Sequence, residues 1–310
     1  MSNLAAVSLG GYQGSGSILS ASLTSLEQSL KACELFGPIT TALDVTAQGE
    51  TAGQLFQSVN LGTRQICYAA SGYLTAYASD LAALDLPFTV KNREAALAAL
   101  DHSAGQWLSD QLGQNSSFKV LGFWDNGFRH ISNSVRPLRT PTDMQGLKIR
   151  TLDSAIYRES LNALGFTAVT TDVSELKQVL KSGEVQAQEN PLTNYNNFKI
   201  YENHPYVSLT GHFFGVLLLV CNRQWFDSLS AKQQHAVDAA AAMATQQQRT
   251  LAAQQDSALL TELAQRGVQI ISSSDLDMGA MRSVTAHIIE RERQTLSKPM
   301  VQHYLDAQRD

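Results

Sequence analysis

Residues 231–266 contain neither glycine nor proline and are rich in Ala, Gln and Leu. These residue types lose little freedom in a helix, so the stretch predicts one very long helix. Such a length is unusual inside a single globular layer. It predicts a rod that bridges two lobes. The chain has 310 residues, enough for two domains of ordinary size or one large α/β domain.

The amino-terminal part alternates strands and helices. Residues 4–9 read as a strand, followed by the glycine-rich loop SLGGYQGSGS at 8–17. Leu19, Leu23, Leu26 and Leu30 then recur at helical spacing within 18–36, and Gly37-Pro38 stops the helix. A second strand over 39–46, a second helix over 52–61 and a third strand, RQICYAAS at 64–71, complete the order. A β-α-β-α-β order implies a parallel sheet covered on both faces.

After a break at Leu86-Pro87-Phe88, residues 93–112 predict one helix and FKVLGFW (118–124) a strand. Asp125-Asn126-Gly127 reads as a turn. HISNSVRPL (130–138) predicts a separate strand, TPTDMQG (140–146) a turn or short helix, and LKIRT (147–151) another strand. The longest apolar run, FFGVLLLVC (213–221), is too short to cross a bilayer and suits a buried strand. Lobe crossovers are expected near Trp124 and Gly211. That division assigns 1–124 and 213–250 to lobe I, and 125–212 and 251–310 to lobe II.

A hydrophobic content of 44% supports a sizeable core. The net charge of -5 argues against nucleic acid or an anionic membrane as main partner, yet leaves room for a local basic pocket. Cys33, Cys67 and Cys221 lack disulfide or zinc-site spacing and are expected to act as small apolar residues. The amino end shows no basic region followed by an apolar segment. Either a cytoplasmic protein or a mature form with its leader removed is consistent with that.

Two sets of residues compete for the function. Gly10, Gly14 and Gly16 fit G-x-x-x-G-x-G, and Tyr195 and Lys199 form Y-x-x-x-K with Ser182 upstream. This set resembles short-chain NAD(P)-dependent dehydrogenases, in which Tyr donates a proton, Lys lowers its pKa and Ser orients the substrate. The scaffolding is wrong, because Ser182-Gly183 sits at a helix end and Asn190-Pro191 interrupts the approach to Tyr195.

The second set lies in 125–150 and 182–195. In LKIR, Arg150 sits at the carboxyl end of its strand, where open α/β sheets bind ligands. Arginine grips a carboxylate through two parallel hydrogen bonds. In QENP, Asn190 also ends a strand, with an amide that donates and accepts. These segments, with LDLPF (84–88), LGFWDNGFRHISNS (121–134), TGH (210–212) and FDSLSAKQQ (226–234), resemble the substrate-binding proteins of TRAP (tripartite ATP-independent periplasmic) transporters. The resemblance covers residues 66–268.

It implies an α/β, two-lobed periplasmic-binding-protein fold with a ligand cleft between the lobes and a long bridging helix. It also implies that Arg150 anchors a ligand carboxylate, with Asn190 and Arg129 beside it. The 8–17 loop would face the cleft, with Tyr12 and Gln13 on the far wall. His212, Phe214, Asp172, Val173, Asn194 and Ser71 complete the candidate set. The expected partners are a small carboxylate-containing ligand and the TRAP membrane permease subunits. No cofactor, metal or covalent chemistry is expected, and the location would be the periplasm, after a leader had been trimmed.

Overall fold

The computed structural model describes residues 5–308, so Leu4 of the expected first strand lies outside the described residues. The first elements are β1 (Val7–Gly10), α1 (Ile18–Ala32), β2 (Ile39–Ala42), α2 (Ala52–Asn60) and β3 (Ile66–Ala70). Ser17 and Thr51 cap the two helices, each accepting from a backbone N–H of the first turn. β1 pairs in parallel with both β2 and β3, as the alternating order requires.

The single helix expected over 93–112 is two, α3 (Arg93–Asp101) and α4 (Ser103–Asn115). The chain breaks at His102, whose φ of -120° and ψ of -134° are not helical.

A larger departure follows. Asp125-Asn126-Gly127 does not reverse the chain but lies inside one continuous strand, β4 (Phe118–Asn133). The turn chemistry is absorbed as an irregularity. Register slips between Asp125 and Gly127, Gly127 takes φ +87°, and its N–H donates to Asp125 Oδ1 at 2.7 Å. The strand continues because β8 pairs with it on both sides of the slip.

The chain then runs through α5 (Pro141–Met144), β5 (Lys148–Thr151), α6 (Ala155–Ala163), β6 (Thr167–Thr170), α7 (Leu176–Ser182), β7 (Ala187–Pro191) and α8 (Leu192–Asn197). Next come β8 (Tyr206–Asn222), α9 (Arg223–Ser228), α10 (Ala231–Gln265), β9 (Gln269–Ile271) and α11 (Met278–Thr295). All strands join one sheet in the order β2-β1-β3-β8-β4-β7-β5-β6, with β9 on β8. The sheet is mixed, because β8 runs antiparallel to β3 and β4, and β4 antiparallel to β7. β4 and β8 are long enough to serve both ends of the sheet.

The long helix forms as expected, started by a Ser230/Gln233 capping box and followed by Gly267. Its rise spans about 52 Å. Val237, Ala241, Ala244 and Ala252 pack into the largest core, with β1, β3 and β8. Leu259 and Leu263 pack into a separate core beside α7 and α8. A third core gathers Ile131, Met144, Ile149, Leu161 and Met281. The carboxyl-terminal segment, expected in lobe II, sends Leu296, Met300, Tyr304 and Leu305 into the largest core.

Midway, α10 braces the irregular part of β4. Gln248 accepts from Asp125 N (2.8 Å) and donates to Asp125 O (2.6 Å), and Trp124 Nε1 donates to Thr245 Oγ1 at 3.0 Å. Arg93 pairs with Asp125 and with Asp256 of α10. The three cysteines are free; Cys67 and Cys221 are buried on neighbouring strands and Cys33 is half-buried.

Candidate functional site

Strand ends of β5 and β7, the irregular stretch of β4 and the loop after β1 converge on one small cavity. Arg150, Arg129, Asn190, Asn194, Tyr12 and Val173 all line it. About 30 Å³ is free inside. Five further lining residues, Ala70, Tyr73, Asn126, Leu152 and Phe198, escaped the sequence reading. Asn126 was hidden by the turn reading of its segment. Tyr73 follows the carboxyl end of β3, so the strand-end rule that flagged Arg150 also points to it.

The two arginines are in opposite electrostatic states. Arg129 is buried and satisfied: its Nε and Nη2 both donate to the Glu189 carboxylate, the latter at 2.9 Å. Its Nη2 also reaches the Glu189 backbone oxygen at 2.9 Å. The guanidinium lies 5.5 Å from the centre of the Tyr157 ring, which stacks on Phe213 at 3.9 Å. Burial alone would lower its pKa, but the Glu189 carboxylate outweighs that and raises it. Glu189 also accepts from Thr151 Oγ1 at 2.9 Å.

Arg150 is equally buried, yet no carboxylate among the described residues lies within ion-pair distance. Its Nη2 donates to Thr171 O at 2.5 Å, and its Nε has no partner. Burial lowers its pKa from the usual value. An arginine stays cationic at neutral pH even so. An unpaired buried guanidinium is costly for the fold. It is the largest uncompensated charge facing the cavity.

Neutral polar groups surround it. Asn190 Oδ1 accepts from Asn194 and Arg129 at 3.3 Å each, and its Nδ2 donates to Gln188 Oε1 at 2.6 Å. Gln13 donates to Asn194 Oδ1 at 2.8 Å, and its own Oε1 is buried without a partner. Gln13 thus supports the cavity wall from behind. Burial pushes the Tyr73 phenol up to about 12 and raises the Tyr12 phenol well above its usual value, so both stay protonated.

Several expected residues fall elsewhere. Ser71 does not face the cavity; its hydroxyl donates to Asp85 Oδ1 at 2.8 Å. His212 stands behind Arg129, with Nδ1 2.7 Å from Thr210 Oγ1 and Nε2 3.8 Å from Glu189. Burial, then Arg129, lower its pKa far enough to keep it neutral. Phe214 is a core residue packed on Phe128 with ring centres 5.1 Å apart. Asp172 caps the turn after β6, accepting from Ser174 N at 2.9 Å. It borders a wider, outer hollow of about 530 Å³ that meets the inner cavity at Tyr73.

The dehydrogenase reading has no site. Tyr195 donates to His204 O at 2.6 Å inside a core, and the Ser182 hydroxyl turns back on Val179 O. Gly10 and Gly11 are needed for packing: a Cβ on Gly11 would lie 2.8 Å from the Tyr68 ring and from Leu43 O. Gly14 and Gly16 have open space instead, so nothing in the loop demands a phosphate cradle. Among the described residues no cluster of His, Cys, Asp or Glu is placed to hold a metal.

Asp85 sits behind this site, fully buried, and also accepts from Ser154 Oγ at 3.2 Å. Burial pushes its carboxyl from 3.8 up to about 6. A carboxyl raised in the fold favours folding while protonated. That contribution is complete below the unfolded pKa and vanishes as pH climbs through the folded one. Asp85→Asn is therefore expected to gain stability over wild type as pH rises from 4 to 7. The gain is on the order of 2–3 kcal/mol, read as the difference in Tm against pH. A difference that is flat or shrinks across that window contradicts the assignment.

The comparisons with known proteins agree with this architecture. The family described as DctP, bacterial extracellular solute-binding protein, family 7, matches residues 22–295. An uncharacterized Haemophilus influenzae protein is 36% identical over 220 residues, 71% of this chain and 67% of that one. The 2,3-diketo-L-gulonate-binding periplasmic protein YiaO of Escherichia coli is 30% identical over 224 residues, 72% and 68% of the two chains. The sugar acid binding protein DctPAm of Advenella mimigardefordensis, solved with galactonate, superposes with a TM-score of 0.92 at 25% identity, covering 99% of this chain and 98% of its own.

This chain belongs to the DctP family of solute-binding proteins, the two-lobed, non-enzymatic binding components of TRAP transporters. It acts in the periplasm, alongside membrane permease subunits. No helix among the described residues is long and apolar enough to cross a membrane.

Proposed function

We propose that this protein captures an organic acid by its carboxylate at Arg150 and hands it to the permease. The observation that carries this reading is the buried guanidinium of Arg150, which lacks an anion although Arg129 beside it has one. A ligand carboxylate there would supply the missing charge and two parallel hydrogen bonds. Asn190 and Asn194 would meet it from β7 and α8, with Tyr12 and Val173 forming the wall. Arg129, locked by Glu189, orients Asn190 and adds a rigid edge. The galactonate in DctPAm belongs to the same chemical class.

The free space beside Arg150 holds about one water and no organic acid. Entry therefore requires the lobes to part. The slipped registers of β4, braced by α10, are the natural place for that bend. The division this implies groups 1–124 with 213–250 and 125–212 with the segment after 250, the last turns returning to lobe I.

Thermal shift with hydroxy, keto and sugar acids, each paired with its neutral amide, tests the reading. At least one acid is expected to raise the Tm by several degrees at millimolar concentration, and its amide to do little. Equal shifts by acid and amide contradict a carboxylate anchor.

A further inference from the structure

We infer, resting on the reading above, that the ligand is a hydroxylated monocarboxylate and that dicarboxylates are rejected. Three separate features converge on this.

The first is the charge facing the cavity. Arg129 and Glu189 cancel, which leaves Arg150 as one uncompensated cation. One ligand carboxylate neutralises it. A second would enter a buried space with no cation left to meet it, and an unpaired buried anion is strongly disfavoured.

The second is the charge of the outer hollow. A longer diacid could reach past Tyr73 and leave its far carboxylate there. That hollow is bordered by Asp153, Asp172 and Glu175 against the single cation Arg158. Asp172 stands next to Thr171, whose carbonyl holds Arg150. An outgoing carboxylate would therefore meet net negative charge.

The third is the set of polar groups left free. The phenols of Tyr12 and Tyr73 and the amide of Asn126 line the cavity and make no side-chain hydrogen bond within the described residues. All three are neutral, and each can both donate and accept. They suit hydroxyl or oxo groups, which also donate or accept without charge. Leu152, Val173 and Phe198 fill the remaining wall and suit the carbon edge of such a ligand.

The test is calorimetric titration of the full chain with matched pairs that differ only at the far end: glycerate and tartronate, erythronate and meso-tartrate, galactonate and galactarate. In the best pair the monoacid is expected to bind about 100-fold tighter than its diacid. A diacid that binds as tightly as its monoacid overturns this inference and leaves the Arg150 anchor standing. If no acid of any pair binds, both this inference and the anchor fail. Asp172→Asn supplies a second readout: it should narrow the gap for the longest pair and leave the shortest pair unchanged. An equal change in all pairs counts against the outer hollow as a source of selectivity.

Discussion

Arg150→Met is expected to melt a few degrees above wild type and to lose its acid. Both effects have one cause. In the free protein the Arg150 guanidinium is buried, unpaired by any carboxylate, and its Nε has no acceptor. Methionine has a similar reach, no charge and a flexible chain that fills irregular space. The Thr171 carbonyl loses one donor, a cost of about 1 kcal/mol. Removing an uncompensated buried charge gains more, by about 1–3 kcal/mol net. The bound state moves the other way, because the ligand carboxylate would then be buried without a partner. That costs about 3–5 kcal/mol, or roughly 150- to 4,000-fold in affinity. Thermal melts with and without acid measure both terms. A variant that melts lower than wild type yet binds normally would show that Arg150 is structural.

Arg129→Met is expected to do the opposite to the free protein. It strands the fully buried Glu189, which then keeps only Thr151 as a hydrogen-bond donor to its carboxylate. Breaking one side of such a pair costs about 3–5 kcal/mol. For a chain of this size that is a fall in Tm of roughly 5–8 °C. The Tyr157 ring also loses the cation above it. Pairing the change with Glu189→Leu should recover most of the loss, because the stranded charge is then gone as well. His212 gives a further signature. Its Nε2 lies 3.8 Å from Glu189, and Arg129 is one of the charges that lower its pKa. Without Arg129 one of the charges that lower its pKa is gone, so the imidazole should take up a proton more readily as pH falls and partly replace the missing cation. The Arg129→Met defect should therefore be smaller at pH 5.5 than at pH 8. Equal melting of single and double variants at both pH values would mean that the pair carries no burial cost.

Much of this was legible in the chain. The long helix followed from composition alone, because nothing in 231–266 disfavours helix. The amino-terminal parallel strands followed from alternating periods. Arg150 and Asn190 stood out because each ends a strand, and the structure brings them to one cavity.

What escaped was tertiary. Asp125-Asn126-Gly127 has real turn chemistry, and only the brace from Gln248 and the long pairing with β8 show why the strand runs on. Reading it as a turn split β4 and hid Asn126. Ser71, His212 and Phe214 flank the cavity in sequence terms but point into the layer behind it, which no local pattern reveals. The difference between Arg129 and Arg150 was invisible too, since it depends on a glutamate sixty positions away in the chain.

The most direct test of the anchor is a two-by-two titration: one tight-binding acid and its amide, each against wild type and Arg150→Met. If the carboxylate meets Arg150, wild type prefers the acid by roughly 100-fold or more, and the variant binds acid and amide almost equally weakly. If the variant keeps the full preference for the acid, the carboxylate is held by some other group and the account of this site is wrong.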